Sequence, residues 1–156
     1  MRILVISDTH GNFPLALKAC DLTEPFDMVI HLGDGGDDAE LLVHALDVPV
    51  LRVAGNCDIG SPLPRELLWE YEGKKLLLVH GDVYGVKSGL ARLEQRGRET
   101  GTDVVLFGHT HRAIVTDLSG ILAVNPGSLM RGLTHTTCAI LEISPQGISA
   151  VLHDIH

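Results

Sequence analysis

The chain is poor in aromatic residues: three Phe, two Tyr and one Trp among 156 residues cannot build a core, so aliphatic side chains must fill it. Cysteine is equally scarce. Cys20, Cys57 and Cys138 are odd in number and far apart, with no C-x-x-C pair, which argues against a disulfide framework or a cysteine zinc knuckle. No apolar run reaches the length of a membrane span, and the opening Ile3 to Ile6 meets Ser7 and Asp8 too soon for a signal-peptide core. A reducing, cytoplasmic setting is the expectation. Positive charge is also short. Twelve Lys and Arg face twenty Asp and Glu, a net charge of −8, and no basic run extends beyond Lys74-Lys75. Non-specific binding to a nucleic-acid backbone or an anionic membrane is therefore disfavoured. With no internal repeat and no linker-like tract, the length predicts one domain over residues 1–156.

What the sequence does contain is a series of short apolar runs rich in β-branched residues: Ile3 to Ile6, Met28 to Leu32, Val50 to Ala54, Leu76 to Val79, Val104 to Phe107 and Ile121 to Val124. Each ends in a polar, glycine-bearing loop. Helix-like segments at Leu15 to Leu22, Asp38 to Leu46 and Ser88 to Arg98 intervene, which is an α/β pattern. Later connections shorten. Glu72-Gly73, Ser119-Gly120 and Pro145-Gln146-Gly147 sit between paired strand-like runs and predict hairpins, hence mixed sheets in the second half. The expected fold class is α/β (α+β), two packed mixed β-sheets flanked by helices.

Five loops at the ends of these runs carry the polar residues: Asp8-Thr9-His10, Gly33-Asp34, Gly55-Asn56, His80-Gly81-Asp82 and Gly108-His109-Thr110-His111. Side chains after the C-terminal ends of neighbouring strands converge on one crevice in an open α/β sheet. Carboxylate, amide and imidazole are the donors that divalent Mn, Fe, Ni or Zn accept. The i, i+2 spacing of Asp8/His10 and His109/His111 predicts that each pair leaves an extended segment on one face. Asp34, with two oxygens, is the candidate to bridge two ions.

The ordered motifs D-x-H, G-D, G-N, V-H-G and G-H-T-H, ending in Asn125-Pro126-Gly127-Ser128, resemble the calcineurin-like metallophosphoesterase superfamily, in particular its small prokaryotic phosphodiesterase branch. That resemblance implies a sandwich of two mixed sheets. It also implies two divalent ions per chain, manganese first, with iron, nickel or zinc as alternatives. Asp8, His10, Asp34 and His111 would hold one ion, and Asp34, Asn56, His80 and His109 the other. Asp34, Asn56 and His80 are the candidate catalytic residues. The implied reaction is hydrolysis of a small phosphate ester by a metal-bridging hydroxide, with the ions about 3.5 to 4 Å apart. Many members of the superfamily carry a histidine directly after the asparagine. Here Cys57 stands there, as in the phosphodiesterase branch, which favours a diester and leaves the leaving group without an obvious proton donor.

Two other functions remain open: a phosphomonoesterase or nucleotidase, separated from the diesterase by Cys57 alone, and a non-catalytic scaffold like the retromer subunit, whose mark would be missing ligands. An oligomer is compatible with either. His31 reads as a buried strand residue or a partner of the ligands. Asp58 and Asp82 read equally as supports for ligands or as turn formers. Asn125 reads as a turn residue, and Arg65 and Arg131 as solvated arginines.

Overall fold

Strand β1 (Arg2–Ile6) explains the layering, because its alternate residues enter different cores. Ile3 and Val5 face a cluster of 14 buried residues, whereas Leu4 and Ile6 face a second cluster of 11. Both faces are covered, so the strand reads as a continuous apolar run rather than an alternating one. The computed structural model describes residues 1–156.

Ten strands form two five-stranded sheets. The remaining strands are β2 (Met28–His31), β3 (Val50–Arg52), β4 (Glu66–Tyr71), β5 (Lys74–Val79), β6 (Val104–Leu106), β7 (Ile114–Leu118), β8 (Ile121–Asn125), β9 (Thr137–Ser144) and β10 (Gly147–Asp154). The first sheet runs β10-β9-β1-β2-β3, with β1, β2 and β3 parallel, β9 antiparallel to β1, and β10 antiparallel to β9. The second runs β4-β5-β6-β8-β7, parallel at its centre and antiparallel at both edges. The first core cluster lies between the sheets and joins Ile3, Val5 and Ile30 to Leu76, Leu78, Leu106 and Val124. Helices α1 (Phe13–Thr23) and α2 (Gly36–Ala45) cover the outside of the first sheet through Ala16, Ala19, Cys20 and Leu42. Helix α3 (Ala91–Thr100) covers the second through Leu93.

The α/β class, the two mixed sheets and the three hairpins are those expected from the sequence. Glu72-Gly73 and Ser119-Gly120 hold positive φ at both turn positions, the geometry that suits the twist of a tight hairpin. Helix α3 starts three residues later than expected, at Ala91, and β3 stops at Arg52 where the chain turns toward the site. No helix is long and apolar enough to cross a membrane.

Candidate metal centre

The loops that leave β1, β2, β5 and β6 meet where the C-terminal ends of the two sheets face each other. Asp8, His10 and Asp34 come from the first sheet, and His80, His109 and His111 from the second. Asp8 Oδ1 stands 3.1 Å from His111 Nε2 and 3.7 Å from His10 Nε2. Asp34 Oδ2 stands 3.2 Å from His80 Nε2 and 3.8 Å from His10 Nε2. His80 Nε2 and His109 Nδ1 approach to 3.2 Å. Three groups of donor atoms result, each within 4.8 Å: Asp8–His10–His111, Asp34–His80–His109, and His10–Asp34–Cys57.

Asn56 is the one exposed residue among the seven expected ligands. It lies in the turn that Asp58 N–H closes on the Gly55 carbonyl; its side chain is exposed, and Nδ2 approaches Cys57 Sγ at 3.6 Å. The extended geometry expected of the two i, i+2 pairs is not what brings the others together. Asp8, His10, Asp34, His109 and His111 all hold positive φ, between 43° and 70°. The chain therefore curls at each donor. For non-glycine residues this left-handed region is sparsely populated and costs of order 1 kcal/mol per position, so strain is concentrated at the site.

Neighbouring polar groups hold the donors in place. Ser7 Oγ–H and the His109 N–H both donate to Asp8 Oδ2, at 2.6 and 3.1 Å, and Ser128 Oγ–H donates to the Asp8 carbonyl at 2.8 Å. The carboxylate of Asp58 takes backbone N–H groups from Asp34, Gly35, Gly36 and Gly55. Asp58 therefore supports the loop of Asp34 rather than a histidine. Asp82 instead pairs with Arg65 at 2.5 Å. Asn125 is buried and does more than turn the chain: its Nδ2 donates to the Gly108 carbonyl and Thr110 Oγ1, and its Oδ1 accepts the Gly127 N–H. Arg131 Nε reaches Asn12 Oδ1 at 3.4 Å. Asp38, buried at the start of α2, accepts the Gly11 N–H and ties the loop of His10 to that helix. The supporting roles of Ser7, Ser128 and Asp38 escaped sequence reasoning, although Ser7 adjoins Asp8 and Ser128 closes the Asn-Pro-Gly-Ser motif.

Close approach demands several of the glycines here, Gly55 and Gly108 among them. A Cβ on Gly55 would lie 2.1 Å from Asp34 Oδ1, and one on Gly108 would lie 2.1 Å from Ser7 Oγ and 2.6 Å from Asp8 Oδ2.

His80 is oriented by the Leu32 carbonyl, to which Nδ1–H donates at 2.8 Å, so Nε2 points into the cluster. Burial disfavours its charged form, but Asp34 and Asp8 outweigh burial and raise its pKa. Burial likewise pushes the Asp34 carboxyl up, yet hydrogen bonds from His80 and the Cys57 N–H hold it well below the usual carboxylate range. Burial and the neighbouring His80 lower His109. His31 makes no approach to the donors. Its Nδ1 accepts the Gly33 N–H at 3.1 Å, which leaves Nε2–H to donate to Thr9 Oγ1 at 3.0 Å, and burial lowers its pKa to about 4.

One atom shows that these residues fit cations. His10 Nε2 is buried without a hydrogen-bond partner, although Asp8 and Asp34 carboxylates face it from either side. A buried polar atom left so is costly unless an electrophile satisfies it. Carboxylate and imidazole are the donors that divalent transition ions take.

The sequence profile of the calcineurin-like phosphoesterase superfamily domain matches residues 1–146. The chain belongs to this superfamily. A probable metallophosphoesterase of Bacillus subtilis is 38% identical over 130 residues, which cover 83% of this chain and 75% of that protein. The phosphodiesterase YfcE of Escherichia coli is 28% identical over 156 residues, covering 83% of this chain and 79% of the other. Among solved structures, a protein described as a novel archaeal phosphodiesterase superposes with a TM-score of 0.78 at 24% identity, covering 98% of this chain and 100% of its own. Vps29 of Entamoeba histolytica, solved in complex with zinc, superposes with a TM-score of 0.74 at 21% identity over 99% of both chains. The chain is thus a metallophosphoesterase by family, with side chains of metal-ligand type grouped where its loops meet.

Proposed function

We propose that this protein is a cytoplasmic phosphodiesterase that works with two divalent cations, on a single domain spanning residues 1–156. Asp8, His10, Asp34 and His111 hold one ion, and Asp34, Asn56, His80 and His109 the other. The observation that carries the reading is the division of the donors into Asp8–His10–His111 and Asp34–His80–His109, joined where His10 meets Asp34. When bound, such a pair supplies Lewis acidity that polarises phosphoryl oxygens and acidifies water. Donors of nitrogen and oxygen type suit manganese first, with iron, nickel and zinc also competent.

The chain's own residues set the geometry around the reacting phosphorus. Asp34, held by the Cys57 N–H at its carboxylate and by Asp58 at its own N–H, keeps the two donor groups in register. His80 presents Nε2 because its other nitrogen is committed to Leu32. A cavity of about 580 Å³ opens beside His10 and Asp34, lined further by Asp37, Arg52, Ile59 and Leu63, and has room for one alcohol arm of a small diester. Two features favour a diester over a monoester: the thiol of Cys57 where an imidazole acid would stand, and relatives that carry the phosphodiesterase name. The fold likeness to Vps29 keeps the scaffold reading in play. Against it, competent donor types stand at all seven positions. Turnover of bis-p-nitrophenyl phosphate, p-nitrophenyl phosphate and a cyclic nucleotide by manganese-loaded protein decides among these. Faster diester hydrolysis is expected; a faster monoester would overturn the diesterase, and no turnover with metal bound would favour the scaffold.

A further inference from the structure

Cys57 is placed differently from the other two cysteines. Cys20 and Cys138 are buried in the core cluster behind the first sheet, whereas Cys57 is exposed at the mouth of the cavity that His10 and Asp34 line. Its backbone N–H donates to Asp34 Oδ1 at 2.8 Å, and this bond fixes the residue beside the donors. Its Sγ, a ring nitrogen of His10 and a carboxylate oxygen of Asp34 lie within 4.8 Å of one another. The imidazole in that trio is the one whose Nε2 is buried and unpartnered. The Asn56 amide Nδ2 donates to the sulfur at 3.6 Å.

We infer that Cys57 supplies a thiolate ligand to the cation held beside His10 and Asp34, which makes this position selective for thiophilic divalent ions. The inference rests on the reading of the loops as a metal centre. Sulfur, imidazole and carboxylate together form a donor set that zinc, cobalt(II) and iron(II) accept more readily than manganese or magnesium. The His80–His109 position offers no sulfur and keeps no such preference. The two positions of the centre are therefore chemically unequal. Binding takes up the thiolate and releases its proton to solvent, one per ion at this position.

The test is spectroscopic. Wild-type protein and the Cys57→Ser and Cys57→Ala variants are saturated with cobalt(II), and the near-ultraviolet sulfur-to-cobalt charge-transfer band is read. The band is expected in wild type and absent from both variants. Zinc affinity measured by competition should fall about tenfold or more in the variants, while manganese affinity changes less than about threefold. A cobalt-loaded wild type without the band, or a band that survives in the variants, overturns the inference and leaves the metal-centre reading standing. Failure of wild type to bind cobalt at all overturns both. Because Cys57 is exposed, folding of the variants is not at issue, and circular dichroism verifies it.

Discussion

Asp58 Oδ2 accepts the backbone N–H of Asp34 at 2.8 Å, so a side chain on one loop determines where the central carboxylate of the next loop stands. Its two oxygens also take N–H groups from Gly35, Gly36 and Gly55 at 3.0, 2.9 and 2.8 Å. Asp58→Ala leaves these donors unpaired and should cost about 2 to 3 kcal/mol in urea unfolding, because bonds to a charged acceptor are the stronger ones. Metal affinity should drop about 10- to 100-fold alongside. An unchanged unfolding midpoint would show that water replaces the carboxylate without loss.

Gly55→Ala tests the closeness of that packing from the other side. The added methyl would meet Asp34 Oδ1 at 2.1 Å and Asp34 N at 2.6 Å, so the backbone of one loop must move. Overpacking of this kind costs about 1 to 3 kcal/mol. Loss of metal content in elemental analysis should accompany it, and full retention would mean that the loops separate freely.

Asp34→Asn should empty both cation positions, since a neutral amide cannot bridge as a carboxylate does. His10→Ala and Asn56→Ala should each weaken mainly one position. Stoichiometry after manganese reconstitution distinguishes them, and an Asp34→Asn protein that kept two tight ions and normal turnover would remove the bridge.

His31 gives the fold a pH dependence of its own. Folded, it titrates near 4 because burial disfavours its charged form, whereas unfolded it titrates near 6.5. The unfolded chain therefore binds the extra proton first as pH falls. The stability from neutral His31 is fully present above about 6.5 and is lost progressively down to about 4, a change of roughly 3 kcal/mol. Urea unfolding followed between pH 7 and 4 should show this slope in wild type and a smaller one in His31→Gln. Equal slopes would place the sensitivity elsewhere.

The residue types at the centre were legible because Asp8, His10, Asp34, His80, His109 and His111 each follow an apolar run in a glycine-bearing loop. The way they converge was not legible. Positive φ is adopted by only a few per cent of non-glycine residues, aspartate and histidine more often than most, and nothing local distinguishes a left-handed Asp8 from an extended one. Three of the four N–H groups on Asp58 were invisible for a related reason, since they come from a loop 22 to 24 residues away. Sheets were easier than helix starts. β-branched runs and Glu-Gly or Ser-Gly turns are local signals, whereas a start at Ser88 passes over Gly89, whose φ of 147° makes it part of the approach to α3.

The order of strands has a consequence for how the chain is made. β1 is synthesised long before its antiparallel neighbour β9, which is encoded at residues 137–144. Until that segment is released, Arg2 to Ile6 present an open row of backbone donors and acceptors beside a strongly apolar surface, a template for pairing with other nascent chains. The closing hairpin carries none of the seven donor residues. A chain truncated just before Thr137 would keep all of them and leave β1 without its antiparallel partner, so completing the donor set and covering the first strand are separate events in synthesis.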